Sequence, residues 1–168
     1  KTENGFLPAT IEGPLHGGNL EIDGSLSSQF LTGLLMTLPL TPAGSVLIVN
    51  HLKSTPYIDL TLSVLKKFDI HISHYNHEKY YIAGNQSYKA CPYTIEGDWS
   101  GGSFLLVAGA VAGEVSVSNL DIESTQADKK IIEALEKAGA KIKIEGKKIA
   151  VSRSKLKAFE FDATNCPD

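Results

Sequence analysis

Two short polar clusters carry the residue types that hold an anion. Ser27, Ser28 and Gln29 follow Leu26 just ahead of an apolar run with helical spacing, and Ser54, Thr55, Pro56 and Tyr57 open a second such run. A helix N-terminus offers unpaired backbone N–H groups and the positive end of the helix dipole, and serine hydroxyls add uncharged donors. Either cluster is therefore a candidate phosphate seat. Plain capping by serine or threonine accounts for much of the same pattern. Three successive polar side chains exceed what a cap requires, however, and capping leaves Tyr57 unexplained. An aromatic ring beside a hydroxyl pair suits the face of a small ring with an attached anion.

The other candidates are weaker. His71, His74 and His77 invite a metal reading, but residues three apart on a strand point to opposite faces, so His71 and His74 do not converge on one ion within a hairpin. No metal site is expected. Gly97, Gly101 and Gly102 lack the lysine and hydroxyl residue that complete a nucleotide loop, and no Gly-x-Gly-x-x-Gly occurs. Trp99, at the start of an apolar helix, reads as packing more readily than as a binding platform. Asp168, held behind Pro167 at the end of the sequence, is placed as a general base only if an alcohol is brought within hydrogen-bond reach; a solvated end is the plainer reading.

The elements that must position these residues follow from periodicity. Residues 7–13 and 19–23 read as strands, 26–38 as a helix stopped by Pro39, and 45–50 as a buried strand. Thr55 reads as the cap of a second helix ending near Phe68, followed by a hairpin over 70–74 and 79–84. The second half repeats the order. A helix over 100–112 follows Gly97 and Asp98, 115–118 is a strand, and Thr125 opens a helix with Asp128 completing a capping box. That helix stops at Gly139, and a hairpin over 140–144 and 147–151 turns at Glu145 and Gly146. Residues 93–96 and 159–162 also alternate as strands. Gly24-Ser25 maps on Gly97-Asp98 at an offset of 73, and Leu65 on Leu135 at an offset of 70, which implies two copies of one α/β unit. The unit runs helix, strand, helix, strand, strand, behind an introductory strand.

Composition narrows the function classes. The 168 residues are 42% hydrophobic and 21% charged, with 16 Lys plus Arg against 19 Asp plus Glu. This is globular composition, and a net charge of -3 gives no general attraction to nucleic acid or to an anionic membrane. The longest weakly polar run, 104–113, is half of the roughly 20 residues a spanning helix needs. Cys91 and Cys166 are too few for a disulfide framework, so a reducing, cytoplasmic setting is the expectation. The sequence starts at Lys1 and its one methionine is Met36, from which a chain cut from something longer is expected. Arg153 is the single arginine. Arginine is the usual bidentate grip on phosphate, so most of the grip on a highly anionic substrate must come from elsewhere.

Specific spellings go further than spacing. Leu-Pro-Ala-Thr-Ile-Glu-Gly-Pro-Leu from Leu7, Gly-Ser-Leu-Ser-Ser-Gln-Phe-Leu-Thr-Gly-Leu-Leu-Met from Gly24, Ser-Thr-Pro-Tyr-Ile-Asp-Leu-Thr-Leu from Ser54, Glu-Gly-Asp-Trp-Ser from Glu96 and the closing Asn-Cys-Pro-Asp resemble the EPSP synthases, the 3-phosphoshikimate 1-carboxyvinyltransferases. The resemblance runs in order from Leu7 to Asp168. It implies the enolpyruvyl transferase fold, an α/β architecture of repeated βαβαββ units forming two domains around a closing cleft. On that reading residues 1–96 are the latter part of the shikimate-phosphate-binding domain and 97–168 the first unit of the second domain.

The resemblance also implies an activity: transfer of the enolpyruvyl group of phosphoenolpyruvate to the 5-hydroxyl of shikimate 3-phosphate, with release of phosphate and no cofactor or metal. It implies that Ser27, Ser28 and Ser54 hold shikimate 3-phosphate, Ser27 and Ser54 chiefly at its phosphate. Gln29 then lies between the two substrates, Tyr57 packs on the shikimate side, and Asp168 is the base at the 5-hydroxyl. The family's lysines and arginines around phosphoenolpyruvate fall outside this sequence, so the isolated chain is expected to be inactive, though monomeric when intact, with no nucleic-acid or membrane partner. Thr55 stands where the family commonly has lysine, and Gly101-Gly102 where it has a Ser-Ala pair. Two rivals stand beside this reading: a non-catalytic module that keeps the phosphate seat, and an enolpyruvyl transferase acting on a nucleotide sugar, against which Ser27-Ser28-Gln29 speaks.

Overall fold

The computed structural model describes residues 2–25 and 27–166. Leu26 and Asp168, both singled out above, lie outside the described residues. The first strands are β1, Thr2–Glu3, and β2, Phe6–Ala9, a small antiparallel pair. Only the start of the strand expected over 7–13 forms: beyond Ala9 the chain finds no ladder partner among the described residues.

Next come β3 (Asn19–Asp23), α1 (Ser28–Thr37, continued as a 3-10 turn over Leu38–Leu40), β4 (Ser45–Asn50), α2 (Thr55–Lys67), β5 (Ile72–Tyr75) and β6 (Lys79–Ile82). These build a four-stranded sheet in the order β3-β4-β6-β5, with β3 and β4 parallel and the other pairs antiparallel. The apolar stripes of α1 and α2 close one face of it. Leu31, Leu35 and Leu38 meet Leu47, Val49, Ile58, Leu65, Ile70, Tyr80 and Ile82 in one core. Burial pushes the Tyr80 phenol well above its ordinary pKa.

The second unit has α3 (Trp99–Ala112), β7 (Glu114–Ser118), a 3-10 turn over Ala127–Lys130 leading into α4 (Ile131–Ala138), β8 (Lys141–Glu145) and β9 (Lys148–Ser152). Its sheet order, β7-β9-β8, repeats the β4-β6-β5 order of the first unit. Trp99, Leu106, Ala110, Leu120, Leu135, Ile149 and Val151 form a separate core. Trp99 is fully buried and its indole Nε1 donates to the Asp121 carbonyl at 3.0 Å, so it is a packing residue.

The repeat is visible in a single hydrogen bond. Gly24 N–H donates to the Asn50 carbonyl at 2.7 Å, and Gly97 N–H donates to the Asn119 carbonyl at 2.9 Å. A side chain at Gly97 would place its Cβ 2.3 Å from that carbonyl oxygen, so only glycine fits there. Residues 93–96 lead into this bond as β3 leads into Gly24, yet they make no ladder. Residues 159–162, read as a strand from their alternation, likewise form no ladder with any of the described residues. Alternation describes a two-faced segment; a strand also needs a neighbouring edge.

Candidate functional site

The parallel pairing of β3 and β4 brings the two serine clusters to one place. The last residues of the two strands, Asp23 and Asn50, are paired in register, so the chain leaves the sheet at the same end both times. Four residues beyond each strand stand Ser27 and Ser54, the residues that precede α1 and α2. The two loops touch: besides the Gly24–Asn50 bond, a Cβ on Gly24 would lie 3.0 Å from Leu52 Cα. The helices then run side by side, with Thr32 Oγ1 3.4 Å from Thr61 Oγ1. Both helix dipoles thus start at one sheet edge, each worth roughly half a positive charge at its tip.

The two serines are not equivalent. Ser27 has extended backbone geometry and its Oγ accepts the Gln29 N–H at 3.1 Å, an ordinary N-cap that keeps its hydroxyl hydrogen for another acceptor. Ser54, not Thr55, is the residue before α2; Thr55 is already helical. Pro56 sits in the first turn, and the helix starts one residue earlier than the hydroxyl pattern suggested. Ser54 has φ +57 and makes no capping bond with its side chain. A non-glycine residue in the left-handed region costs about 1–2 kcal/mol, and such outliers gather at sites where geometry serves a ligand. Ser28 is half-buried and Gln29 exposed, beside a shallow depression that includes Asp23, Phe30 and Gly33.

The charges at this edge nearly balance. The backbone N–H of Ser25 hydrogen-bonds the exposed Asp23 carboxylate at 2.8 Å and holds its pKa below the ordinary value. His51 Nδ1 stands 3.8 Å from the same carboxylate, and Lys53 is exposed in the loop before Ser54. The edge therefore supplies neutral donors and helix dipoles rather than a cluster of cations. A concavity of about 820 Å³ opens elsewhere, lined by Asn19, Gly44 and Ser45 at the start of the strands and by Lys66 and His71. It contains none of these residues.

Tyr57 departs most from what its neighbours in sequence suggest. It lies half-buried in the first turn of α2, and its hydroxyl donates to Asp128 Oδ2 of the second unit at 2.9 Å. Asp128 closes no capping box. The segment it occupies is a 3-10 turn without a side-chain cap, because the carboxylate is turned instead to the tyrosine. It is 7% exposed, and its Oδ1 has no hydrogen-bond partner among the described residues. No local signal marks this pair, whose members are separated by 71 residues.

The histidines divide as alternation predicts for one pair and not for the other. The His71 ring Nε2 lies 3.2 Å from Asp69 Oδ1 and its backbone N–H donates to Gln86, and it does not join the cluster that holds His74. His77, in the turn after β5, folds back on His74 with ring centroids 4.3 Å apart, and its Nε2 lies 3.3 Å from Asp59 Oδ1 of α2. At Gly102 an added methyl would stand 3.0 Å from Leu120, so the departure from Ser-Ala is a matter of local packing against that leucine.

Comparison with known proteins agrees with this architecture. A sequence profile described as EPSP synthase (3-phosphoshikimate 1-carboxyvinyltransferase) matches residues 1–168. Proteins named 3-phosphoshikimate 1-carboxyvinyltransferase are similar to the chain throughout. The one from Clostridium novyi is 41% identical over 100% of this chain and 39% of its own length. The one from Klebsiella pneumoniae is 39% identical over 99% of this chain and 40% of its own. The chain therefore spans about two fifths of the length of these relatives. Among solved structures, the enolpyruvyl transferase NikO from Streptomyces tendae superposes with a TM-score of 0.58 over 81% of this chain and 35% of its own, at 15% identity, a likeness of fold alone. With one βαβαββ unit, a second that repeats its αβαββ part, and similarity along its whole length, the chain belongs to the EPSP synthase (3-phosphoshikimate 1-carboxyvinyltransferase) family.

Proposed function

We propose that this chain supplies the shikimate 3-phosphate seat of an enzyme that transfers the enolpyruvyl group of phosphoenolpyruvate to the 5-hydroxyl of that substrate and releases phosphate. The observation that carries the reading is the exit of α1 and α2 from the same end of the paired strands β3 and β4, which puts Ser27 and Ser54 at one sheet edge. A phosphate there accepts from the hydroxyls of Ser27, Ser28 and Ser54 and from free N–H groups of the helix tips. Gln29 lies toward the second substrate, and the ring of Tyr57 covers the face of the shikimate ring. Asp168 takes the proton of the 5-hydroxyl as that oxygen attacks the carbon of the protonated enolpyruvyl group. Loss of phosphate, together with return of one proton from the methyl carbon to the group that delivered it, then restores the double bond.

Residues 1–96 belong, on this proposal, to the shikimate-phosphate-binding domain and 97–168 to the first unit of the other. In the sequence as given, the cations for phosphoenolpyruvate are absent: its one arginine, Arg153, is exposed. The outward face of α3, where Phe104 and Val111 are 70% and 58% exposed, then packs on further units of its domain. The free thiols of Cys91 and Cys166 suit a reducing cytoplasm, and no described helix is long and apolar enough to cross a membrane.

The test is a phosphate-release assay on the full polypeptide that carries this chain. Ser27→Ala and Ser54→Ala each lower kcat/KM for shikimate 3-phosphate, by about tenfold or more if each loses a hydrogen bond to a charged oxygen. Unchanged kcat/KM in both would overturn the seat. The 168-residue chain alone shows no turnover; activity at even a hundredth of the full protein contradicts that expectation.

A further inference from the structure

Asp59, His74 and His77 lie apart from the residues given roles above, and their chemistry differs. One ligand atom from each comes within 4.8 Å of the others. The closest approach, 3.3 Å between His77 Nε2 and Asp59 Oδ1, is the separation expected of two donors bound at about 2.0–2.1 Å to one tetrahedral ion. His74 is exposed on β5, and its Nδ1 accepts the His77 backbone N–H at 3.4 Å.

Two further observations concern His77. Its Nδ1 stands 3.2 Å from the hydroxyl of the fully buried Tyr80. A phenol both donates and accepts, so Nδ1–H can donate to Tyr80 while Nε2 keeps its lone pair for an ion; such a partner on the second ring nitrogen is typical of metal-ligating histidine. Its backbone is also unusual. Asn76 and His77 have φ +48 and +57, while Glu78 N–H closes the turn on the Tyr75 carbonyl at 2.9 Å. A tight turn of this kind needs left-handed backbone at both central positions, and histidine adopts it at a conformational cost.

We propose that Asp59, His74 and His77 form a binding site for one divalent transition-metal ion, zinc by preference. Two imidazoles and a carboxylate are the donor set that zinc takes, with water completing four-coordination. The ion fastens the β5–β6 turn to the first half of α2. This stands independently of the transferase reading, and its role is structural.

Titration calorimetry of the chain with zinc chloride tests it in a non-chelating buffer at neutral pH. The expected result is one ion per chain, with affinity reduced about tenfold or more in Asp59→Asn and in His74→Ala, and unchanged in His71→Ala. His77→Gly is the sharpest variant, since glycine accepts the left-handed turn and leaves the hairpin intact; it abolishes the stoichiometric site. Cys91 is an exposed thiol that also takes zinc, so the series is repeated with Cys91→Ser. No saturable binding, binding retained in His77→Gly, or binding lost in Cys91→Ser each overturns the proposal. Slower amide exchange at residues 76–78 on adding zinc supports it, and exchange unchanged in zinc-saturated chain contradicts it.

Discussion

Replacing Tyr57 by phenylalanine removes one oxygen and with it the hydrogen bond to Asp128, and the cost can be worked from the geometry. The bond is 2.9 Å long and ends on a carboxylate that is 7% exposed. Hydrogen bonds to charged groups contribute about 1.5–3 kcal/mol. The other oxygen, Oδ1, has no partner among the described residues, so none of them offers a hydrogen bond that compensates. Tyr57→Phe therefore costs about 2 kcal/mol. With a urea m value of about 2 kcal/mol per molar for a protein of this size, the unfolding midpoint falls by about 1 M. Fluorescence-monitored urea unfolding of Tyr57→Phe, Asp128→Asn and the double variant separates this bond from other effects of the ring. The coupling energy is expected at about 1 kcal/mol or more. A cost below about 0.5 kcal/mol, or strict additivity in the cycle, refutes the claim that this bond joins the two units.

The serines should part company in stability while agreeing in ligand binding. Ser27→Ala loses a cap and costs about 1 kcal/mol, whereas Ser54→Gly relieves a left-handed backbone and stabilises by up to about 1 kcal/mol; both weaken shikimate 3-phosphate binding, and thermal unfolding with ligand titration checks each sign. Gly97→Ala drives a Cβ to 2.3 Å from the Asn119 carbonyl oxygen, so a loss of about 1–3 kcal/mol or more is expected in denaturant unfolding. Asp69 accepts from Lys89 at 2.6 Å and lies near His71, contacts that hold its carboxyl below the ordinary 3.8. A lowered carboxyl stabilises the fold above its unfolded pKa and loses that contribution as pH falls through the folded value. Asp69→Asn thus lowers Tm at neutral pH, and the difference from the parent chain closes as pH drops below 3.8; a difference that persists in acid contradicts the assignment.

Much of the frame was legible because its signals are local. The strands β3 and β4 have the bounds their apolar runs imply, and Gly139, at φ +84, ends α4 where a C-terminal glycine should. The repeated order of elements also agrees with the two copies that the glycine and leucine offsets imply. What failed depends on partners distant in sequence. Asp128 has capping-box spacing, yet its carboxylate is taken by Tyr57 from the first unit. Residues 159–162 alternate but meet no strand. Thr55 reads as a cap because hydroxyls cap helices, yet it is already helical and Ser54 precedes the helix. His77 escaped the alternation argument because it lies in a turn, where chain reversal rather than pleat decides which rings meet. For the site, residue types pointed to an anion and the parallel register of β3 and β4 supplied the convergence that residue types alone do not.

Convergence of the two helix tips on one phosphate is tested most directly by following backbone amides of the ¹⁵N-labelled chain during titration with shikimate 3-phosphate, with inorganic phosphate in parallel. The amides of Ser27, Ser28, Gln29 and Ser54 should shift together along one saturation curve, weakly with phosphate and more tightly with the ester, while those lining the large concavity at Lys66 and His71 stay still. Shifts confined to one helix tip, separate curves for Ser27 and Ser54, or saturation at the distant concavity would contradict the account.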